Sequence, residues 1–463
     1  MLIAGAEVGG TRLDVRLARG VIVELGRALA PEPEEPRLDA AGGALLPGLH
    51  DHHVHVLALA AAADSVRCGP PEVGDEAALE RALAGAGDGA AWVRGVGYHE
   101  SVAGELDRSR LDRFALERPL RIQHRSGALW MLNSAAVERV GLDRGEDAAG
   151  VERDARGRAT GRLFRLDDWL RERLDATAAP DLAVVGRRLA RFGVTGLTDA
   201  TPGNGPAELS LFERAVERGD LPQRLVLMGA PELPPSQRAG IERGAVKVLL
   251  RDEDLPEFDD LTRTIDAAHQ DGRAVAVHCV SRAELVLAAS AFSAAGCRAG
   301  DRIEHAAVAP PDVVELVAAL PLTVVTQPGF VRERGDAYAL DVEARDQPWL
   351  YRGLGFLEAG VPLGGGTDAP FGDPDPWRAM RAAVERRTAS GLCLGARERL
   401  EPERALALFT SPPELPGAAP RRVAPGSPAD LCLLDRPWTS ARRELSSEHV
   451  AATLRAGRVI FRR

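Results

Sequence analysis

Short apolar segments rich in β-branched residues recur through the middle of the chain, and a stretch with helical periodicity follows most of them. Such continuous apolar runs are typical of parallel strands that are buried on both faces. Together with helical stretches such as Leu261–Gln270, they predict an α/β fold, a parallel (β/α)₈ TIM-like barrel. We expect its first strand at Ala44–Leu49, and the later strands at Val194–Thr198, Arg224–Met228, Val246–Leu250, Ala274–Cys279, Arg302–His305, Thr323–Gln327 and Val361–Gly364.

The two ends of the chain have a different pattern. Residues 1–46 alternate short apolar runs with turn residues, and residues 415–463 contain similar runs at Asp430–Asp435 and Gly457–Phe461. This alternation is typical of short strands, so we expect both ends to build one small composite β-sandwich. The barrel would then span residues 47–414. The stretch at about 65–190 is too long for one connecting helix and predicts an insertion after the first barrel strand.

Composition narrows the class of protein. The chain has 463 residues, 45% of them hydrophobic, and a formal net charge of −10. An acidic balance argues against a nucleic-acid partner, because proteins that bind nucleic acid normally present a basic face. The chain has no C-x-x-C pair, no leader-like start and no apolar run near the ~18 residues of a membrane span. We therefore expect a cytoplasmic protein with neither a nucleic-acid nor a membrane partner, and a homodimer is common at this size.

Lys247 is the only lysine among 58 lysine and arginine residues. It lies in the apolar run Ala245–Leu250, which is predicted to be a buried strand. A guanidinium stays protonated, whereas a desolvated amine can become neutral and add carbon dioxide, forming a carbamate with two ligand oxygens. Two interpretations are open for this residue alone: chance in an arginine-biased composition, or a requirement for this chemistry.

Histidine is sparse, yet four of the ten histidines fall within residues 50–55. Strand alternation would place two of them on one face, and two more histidines and an aspartate follow other predicted strands. Catalytic groups in such a barrel collect at the C-terminal strand ends, whereas a single buried histidine is more often a hydrogen-bonded core residue. Imidazole with carboxylate suits zinc, and also iron, nickel or manganese. The expected members of the cluster are His53, His55, Lys247, His278, His305 and Asp368.

Several motifs together resemble the amidohydrolase superfamily over nearly the whole chain. They are Pro47-Gly48-x-x-Asp51-x-His53-x-His55, Val246-Lys247, His278, Glu304-His305, Gly366-Thr367-Asp368-Ala369-Pro370 and the segment Pro425–Asp430. Within the superfamily, the chain is similar to the branch that includes N-substituted formamide deformylase, amidohydrolase family 3. The segments that carry this similarity are Trp92–Ser101, Arg125–Ala136 and Thr160–Phe164.

The resemblance implies a metal-dependent amidohydrolase that cleaves a carbon–nitrogen bond other than a peptide bond, by a metal-activated hydroxide. The bond would be of the amide type: N-acyl, N-formyl or cyclic amide. His53, His55 and Asp368 would hold one divalent metal, zinc being favoured, and His278 and His305 a second, with carboxylated Lys247 bridging the two. Asp368 would transfer the proton, and His305 and Lys247 complete the catalytic group. Asp51 and Glu304 would orient ligands. The candidate substrate contacts in the insertion are Tyr98, His99, Glu100, Arg125 and Asn133.

The residues leave several alternatives open. Ala128 stands where the family usually has a histidine. Arg165 stands where glutamate is common, and this change indicates either an anionic substrate or an arginine that is simply exposed. A mononuclear deaminase of a nucleobase-like compound would need one metal per chain instead of two. A metal-dependent esterase or lactonase would need the same cluster. A non-catalytic barrel would be expected to lose ligands.

Overall fold

The computed structural model describes residues 1–70, 72–86, 92–114, 118–144, 148–174 and 180–463. The chain forms two compact units. One joins Met1–Val56 to Leu182–Arg463, and the other is Leu57–Asp181. Each unit has its own sheets and its own buried core, so each is described separately below.

Strands are numbered in chain order. They are β1 Leu2–Val8, β2 Thr11–Ala18, β3 Val21–Gly26, β4 Arg37–Asp39, β5 Leu45–Pro47, β6 Leu49–Val54, β7 Val66–Arg67, β8 Val93–Tyr98, β9 Leu120–His124, β10 Leu129–Leu132, β11 Val151–Arg153, β12 Ala159–Phe164, β13 Val194–Asp199, β14 Arg224–Gly229, β15 Ile241–Leu249, β16 Val275–Cys279, β17 Arg302–His305, β18 Thr323–Thr326, β19 Leu363–Gly365, β20 Leu431–Leu434, β21 Val450–Arg455 and β22 Arg458–Arg462.

Helices are numbered in the same way. They are α1 Val56–Ala63, α2 Glu76–Ala84, α3 Glu100–Ala103, α4 Arg108–Asp112, α5 Ser134–Arg139, α6 Asp167–Arg173, α7 Leu182–Arg191, α8 Pro206–Arg218, α9 Phe258–Gln270, α10 Arg282–Ala295, α11 Pro311–Ala318, α12 Gly329–Asp341, α13 Leu354–Glu358, α14 Pro376–Glu385, α15 Pro402–Ala407 and α16 Trp438–Ala441. The longest, α10, has 14 residues and begins with a capping box between Ser281 and Glu284. None of the described helices is long and apolar enough to cross a bilayer.

A parallel barrel forms the centre of the first unit. Among the described residues, its eight strands pair in the order β6-β13-β14-β15-β16-β17-β18-β19. The N–H of Asp368, just after β19, donates to the carbonyl of His53 in β6 at 2.8 Å, which joins the last strand to the first. The predicted (β/α)₈ fold is confirmed, and the strand ends that carry the candidate ligands share one edge.

The predicted first barrel strand, Ala44–Leu49, is wrong. Leu45–Pro47 is β5, which pairs antiparallel with β20 in another sheet, and the first barrel strand is β6, Leu49–Val54. The chain changes sheets at Gly48, whose N–H donates to Asp430, while Leu49 N–H donates to Gly193 beside the barrel. Proline in β5 has no N–H for a ladder, and a Cβ on Gly48 would lie 2.3 Å from Thr195 side-chain atoms, so this dipeptide suits the crossing point.

Both chain ends build a composite β-sandwich, as expected. One sheet has the order β3-β2-β1-β4 and the other β22-β21-β20-β5. Their inner faces share one apolar core, in which Ile3 and Leu17 from the first sheet lie with Leu431 and Leu454 from the second. All four side chains are at most 3% exposed. This burial explains the alternation in the two terminal segments.

The unit Leu57–Asp181 follows the first barrel strand, which confirms the predicted insertion. Its described residues form a six-stranded sheet in the order β11-β12-β10-β9-β8-β7. One apolar cluster of the unit contains Leu79, Leu120 and Ile122, and a second contains Trp130 and Val137. These clusters give the insertion an apolar core of its own.

Candidate metal centre

Three side chains meet where β6 and β19 end. His53 lies in β6, His55 follows that strand directly, and Asp368 follows β19. Oδ1 of Asp368 lies 3.1 Å from Nε2 of His55 and 3.4 Å from Nε2 of His53. Ligands held ~2.1 Å from a tetrahedral zinc ion lie about 3.4 Å apart, so these three atoms fit around one divalent metal.

The backbone around these ligands is tightly constrained. Asp368 has a φ of 55°, in the left-handed region. The carboxylate of Asp51 accepts hydrogen bonds from the N–H of His53 at 3.1 Å and of Thr367 at 3.0 Å, which ties the two ligand segments together. A Cβ on Gly366 would lie 2.4 Å from the Cβ of His53. Glycine is therefore required where the segments touch.

Partners at the Nδ1 atoms orient both histidines of this group. Nδ1 of His53 contacts the carboxylate of Glu304, which also accepts a hydrogen bond from Arg302. Nδ1 of His55 lies 2.8 Å from Oγ1 of Thr201. With Nδ1 engaged, Nε2 of each ring is available to a metal, which is the usual arrangement of histidine ligands and their supporting groups.

Two further histidines lie beside this group. The ring centres of His305 and His53 are 4.8 Å apart, and those of His278 and His305 are 4.4 Å apart. Nδ1 of His305 lies 2.6 Å from Oε1 of Gln327, the residue that directly follows β18. The structure therefore brings together all four histidines that the strand pattern predicted as neighbours.

Lys247 points into the same polar cluster from β15. Its side chain is only 6% exposed, and its Nζ has no hydrogen-bond partner among the described residues. Burial lowers the pKa of Lys247 to about 8, an effect that the charge of Glu304 opposes and that of Arg302 reinforces. A buried amine without a partner is costly unless something neutralises or binds it.

The pKa shifts of His278, His305 and Asp368 suit metal ligands, whereas burial lowers the pKa of His53 but the charges of Glu304 and Asp368 outweigh it and raise that pKa. Burial lowers the pKa of His278 well below its usual range, and burial beside His53 lowers that of His305 to about 3. Burial alone would raise the pKa of Asp368, but His53 and His55 hold it well below the ordinary value. Neutral imidazoles and an ionised carboxylate are the forms that bind a metal.

Two of the five candidate substrate contacts have structural roles in the insertion. The side chain of Asn133 caps α5: its oxygen accepts from Ala136 N–H and Leu120 N–H, both at 2.9 Å, and its nitrogen donates to Arg118. Tyr98 is fully buried, and its hydroxyl donates to the carbonyl of Gly104. All the polar atoms of the Asn133 amide are thus engaged by backbone groups.

The other three candidates lie close together in the same unit. The ring of His99 stacks near that of His124 at 6.0 Å, and Nε2 of His124 lies 3.2 Å from the Glu100 carboxylate. The N–H of Arg125 donates to the carbonyl of Tyr98 at 2.8 Å, which places Arg125 beside this group. The insertion therefore carries a local cluster of imidazole, carboxylate and guanidinium groups.

Sequence reasoning identified Asp51 and Glu304 as orienting groups, and the structure shows both beside the ligand segments. It did not identify Thr201 or Gln327. Gln327 stands at the end of a predicted strand, next to the strand that carries His305, and that position was the available signal. Thr201 is a small polar residue in a loop, and nothing in its sequence context distinguishes it.

Comparison with known proteins agrees with this geometry. A model of the amidohydrolase family matches residues 38–461. Over 505 aligned residues the chain is 27% identical to N-substituted formamide deformylase of Arthrobacter pascens, with 94% of this chain and 91% of that protein covered.

Two solved structures share the fold. An uncharacterized metal-dependent hydrolase from Pyrococcus horikoshii OT3 has a TM-score of 0.76 at 19% identity, over 97% of this chain and 99% of that one. N-isopropylammelide isopropylaminohydrolase from Burkholderia multivorans has a TM-score of 0.54 at 17% identity, over 100% and 98% of the two chains. With the family match and the ligand geometry, the chain belongs to the amidohydrolase family and is a metal-dependent hydrolase of the amidohydrolase type.

Proposed function

We propose that this protein hydrolyses an amide-type carbon–nitrogen bond of a small molecule: an N-formyl, N-acyl or cyclic amide bond. The observation that carries the proposal is the convergence of His53, His55 and Asp368 around one point, with a buried lysine amine in the same polar cluster. The similarity to N-substituted formamide deformylase over almost the whole chain supports the choice of bond.

The metal centre of the proposal has two sites. His53, His55 and Asp368 would hold one zinc ion, and His278 with His305 would hold another. The neutral amine of Lys247 would add carbon dioxide and lose a proton, and the resulting carbamate would supply ligand oxygens to both sites. This assignment gives the unpartnered Nζ of Lys247 a role and removes the cost of its burial.

The residues of the cluster then have separate chemical roles. A divalent metal bound there supplies a Lewis acid that lowers the pKa of water from ~16 to about 7. Asp368, ionised and held in place by its left-handed backbone, accepts the proton of the attacking water and delivers it to the leaving nitrogen. Glu304 keeps the ring of His53 in one orientation, and Gln327 does the same for the ring of His305. The catalytic residues of this proposal are Asp368, His305 and Lys247.

The substrate contacts of the proposal are His99, Glu100 and Arg125 of the insertion. Their side chains carry positive and negative charges and can form hydrogen bonds, and the three residues lie close together in the insertion. Tyr98 and Asn133 support this group through the backbone contacts described above, instead of contacting substrate themselves.

Replacement of Asp368 by asparagine is the direct test. Asp368→Asn keeps the size of the side chain and removes the proton acceptor, so kcat for an N-formyl or N-acyl substrate should fall by about 100-fold or more. The matched control is Asp341→Asn at the exposed C-terminal end of α12, which should stay within twofold of wild type. Activity of Asp368→Asn within a few-fold of wild type would contradict the proton-transfer role.

Metal content and a substrate screen separate this function from its alternatives. Two metal ions per chain and release of an amine from amides support the proposal. One tightly bound ion per chain with release of ammonia from an aminated heterocycle would support a deaminase instead. Faster turnover of esters or lactones than of matched amides would support an esterase. Lys247→Ala adds a further check, because short carboxylic acids should partly restore the activity lost with the carbamate.

A further inference from the structure

A basic cavity lies between α7 and the sheet that contains β21 and β22. Its volume is about 730 Å³, within the range of ~300–1,000 Å³ that small-molecule sites occupy. Arg187, Arg188, Arg191 and Arg463 line it together with Phe192 and Phe461. None of the candidate metal ligands lines this cavity, so it is a separate place on the same unit.

Three of the four arginines have no hydrogen-bond or ion-pair partner for their guanidinium groups among the described residues. No charged or polar group of the described residues forms an ion pair or a hydrogen bond with the side chains of Arg187, Arg188 and Arg191. The guanidinium of Arg188 lies 6.0 Å from the ring centre of Phe192. Arg463 is held by the carboxylate of Asp435. The cavity therefore concentrates positive charge that the protein itself does not neutralise.

The position of these arginines makes a chance surface arrangement a poor explanation. Arg187 and Arg191 are four residues apart on α7, and like charges at that spacing destabilise a helix. The helix dipole favours cations in the last turn, which accounts for Arg188 and Arg191 on their own. It does not account for Arg463, which follows β22 and lines the same cavity. Among the lining residues, Glu448 has the one carboxylate side chain.

We infer that this cavity binds a small organic polyanion, a phosphorylated compound that also carries an aromatic group. Guanidinium groups pair with phosphate oxygens through two parallel hydrogen bonds, and three such groups on one helix face suit more than one phosphate charge. Phe192 and Phe461 supply apolar surface on which an aromatic ring can pack. The inference goes beyond the proposed hydrolysis and does not depend on it.

Calorimetric titration of the metal-loaded protein tests this site. The probes are adenosine 5′-diphosphate, inorganic pyrophosphate and adenosine, in about 150 mM salt so that weak surface binding is screened. We expect one saturable site per chain for adenosine 5′-diphosphate, weaker binding of pyrophosphate, and no measurable binding of adenosine. The double variant R187Q/R191Q should raise the Kd for adenosine 5′-diphosphate by about tenfold or more.

The matched control is Arg214→Gln, which removes an exposed arginine from α8 and should leave that Kd unchanged. Glutamine is a good helix former, and the thermal midpoint of each variant shows that it is folded. Equal Kd values for wild type and R187Q/R191Q would overturn the inference, because binding would then be elsewhere, for example at the metals. No saturable binding of adenosine 5′-diphosphate would also overturn it. Equal affinity for pyrophosphate and adenosine 5′-diphosphate would overturn the aromatic part.

Discussion

Gly366→Ala should damage the metal centre by adding a single methyl group. The new Cβ would lie 2.4 Å from the Cβ of His53, 2.8 Å from its N and 3.0 Å from its Cα. Carbon atoms in contact are normally ~3.5–4.0 Å apart, so the two segments must separate by about 1 Å. His53 cannot yield by rotating its side chain alone, because two of the three close atoms belong to its backbone.

The expected magnitude follows from that displacement. Overpacking of this kind costs about 1–3 kcal/mol of folding stability. A displacement of about 1 Å at a reacting centre costs about 100-fold in rate, which corresponds to about 2.7 kcal/mol of transition-state stabilisation. Because His53 is also a proposed metal ligand, we expect metal affinity to fall at least as far as stability does.

Two measurements on the same preparation check this prediction. Competition with a chromophoric chelator gives the metal affinity, and kcat/KM on an amide substrate gives the rate. Gly74→Ala is the matched control, since a Cβ there meets no described atom within 4 Å and the residue does not need a positive φ. If Gly366→Ala bound metal like wild type and kept kcat/KM within threefold, the argument that this contact sets the ligand geometry would be refuted.

Three further predictions concern other parts of the chain. Gln327→Leu removes the hydrogen-bond partner of His305, so metal affinity should fall by about 10–100-fold in a chelator titration. An unchanged metal affinity would contradict the role of Gln327 in orienting His305. Burial raises the pKa of Cys432 to about 12, so at pH 8 about one Cys432 thiol in 10,000 is ionised. Mass spectrometry after alkylation should therefore find the less buried Cys393 modified well before Cys432. Equal alkylation rates of the two cysteines would contradict the burial of Cys432. Leu454→Ala opens a cavity in the sandwich core and should lower the free energy of unfolding by about 2–5 kcal/mol in urea, whereas Leu340→Ala, at an 86% exposed position, should change it by less than about 0.5 kcal/mol.

The barrel and the neighbourhood of its candidate ligands could be predicted because both follow from periodicity. Parallel strands buried on both faces form continuous apolar runs, and their C-terminal ends share one edge whatever the loops do. That rule brings His278 and His305 beside His53 without any knowledge of the loops. The proposed metal roles of these residues stay predictions that the metal titrations address.

The failures have a common physical cause. Ala44–Leu49 is one apolar run in sequence, yet it contains β5 and the first residue of β6, because the chain changes sheets at Gly48. Periodicity detects burial but not which sheet buries a residue. In the same way, Asn133 is a polar residue in a recognisable motif, and residue type alone does not distinguish a helix cap from a ligand contact. Partners such as Thr201 are selected only by tertiary geometry.

The crossing at Gly48 limits how this protein could be recombined. Only one residue separates the sandwich strand β5 from the barrel strand that carries His53, and backbone hydrogen bonds to Asp430 and Gly193 hold both sides of the junction. The single residue between the two strands cannot accommodate an insertion or a deletion without a shift of one strand. A chimaera that exchanged the terminal sheets for those of a relative would have to match the junction residue for residue, since a slip of one position would turn His53 to the opposite face of its strand.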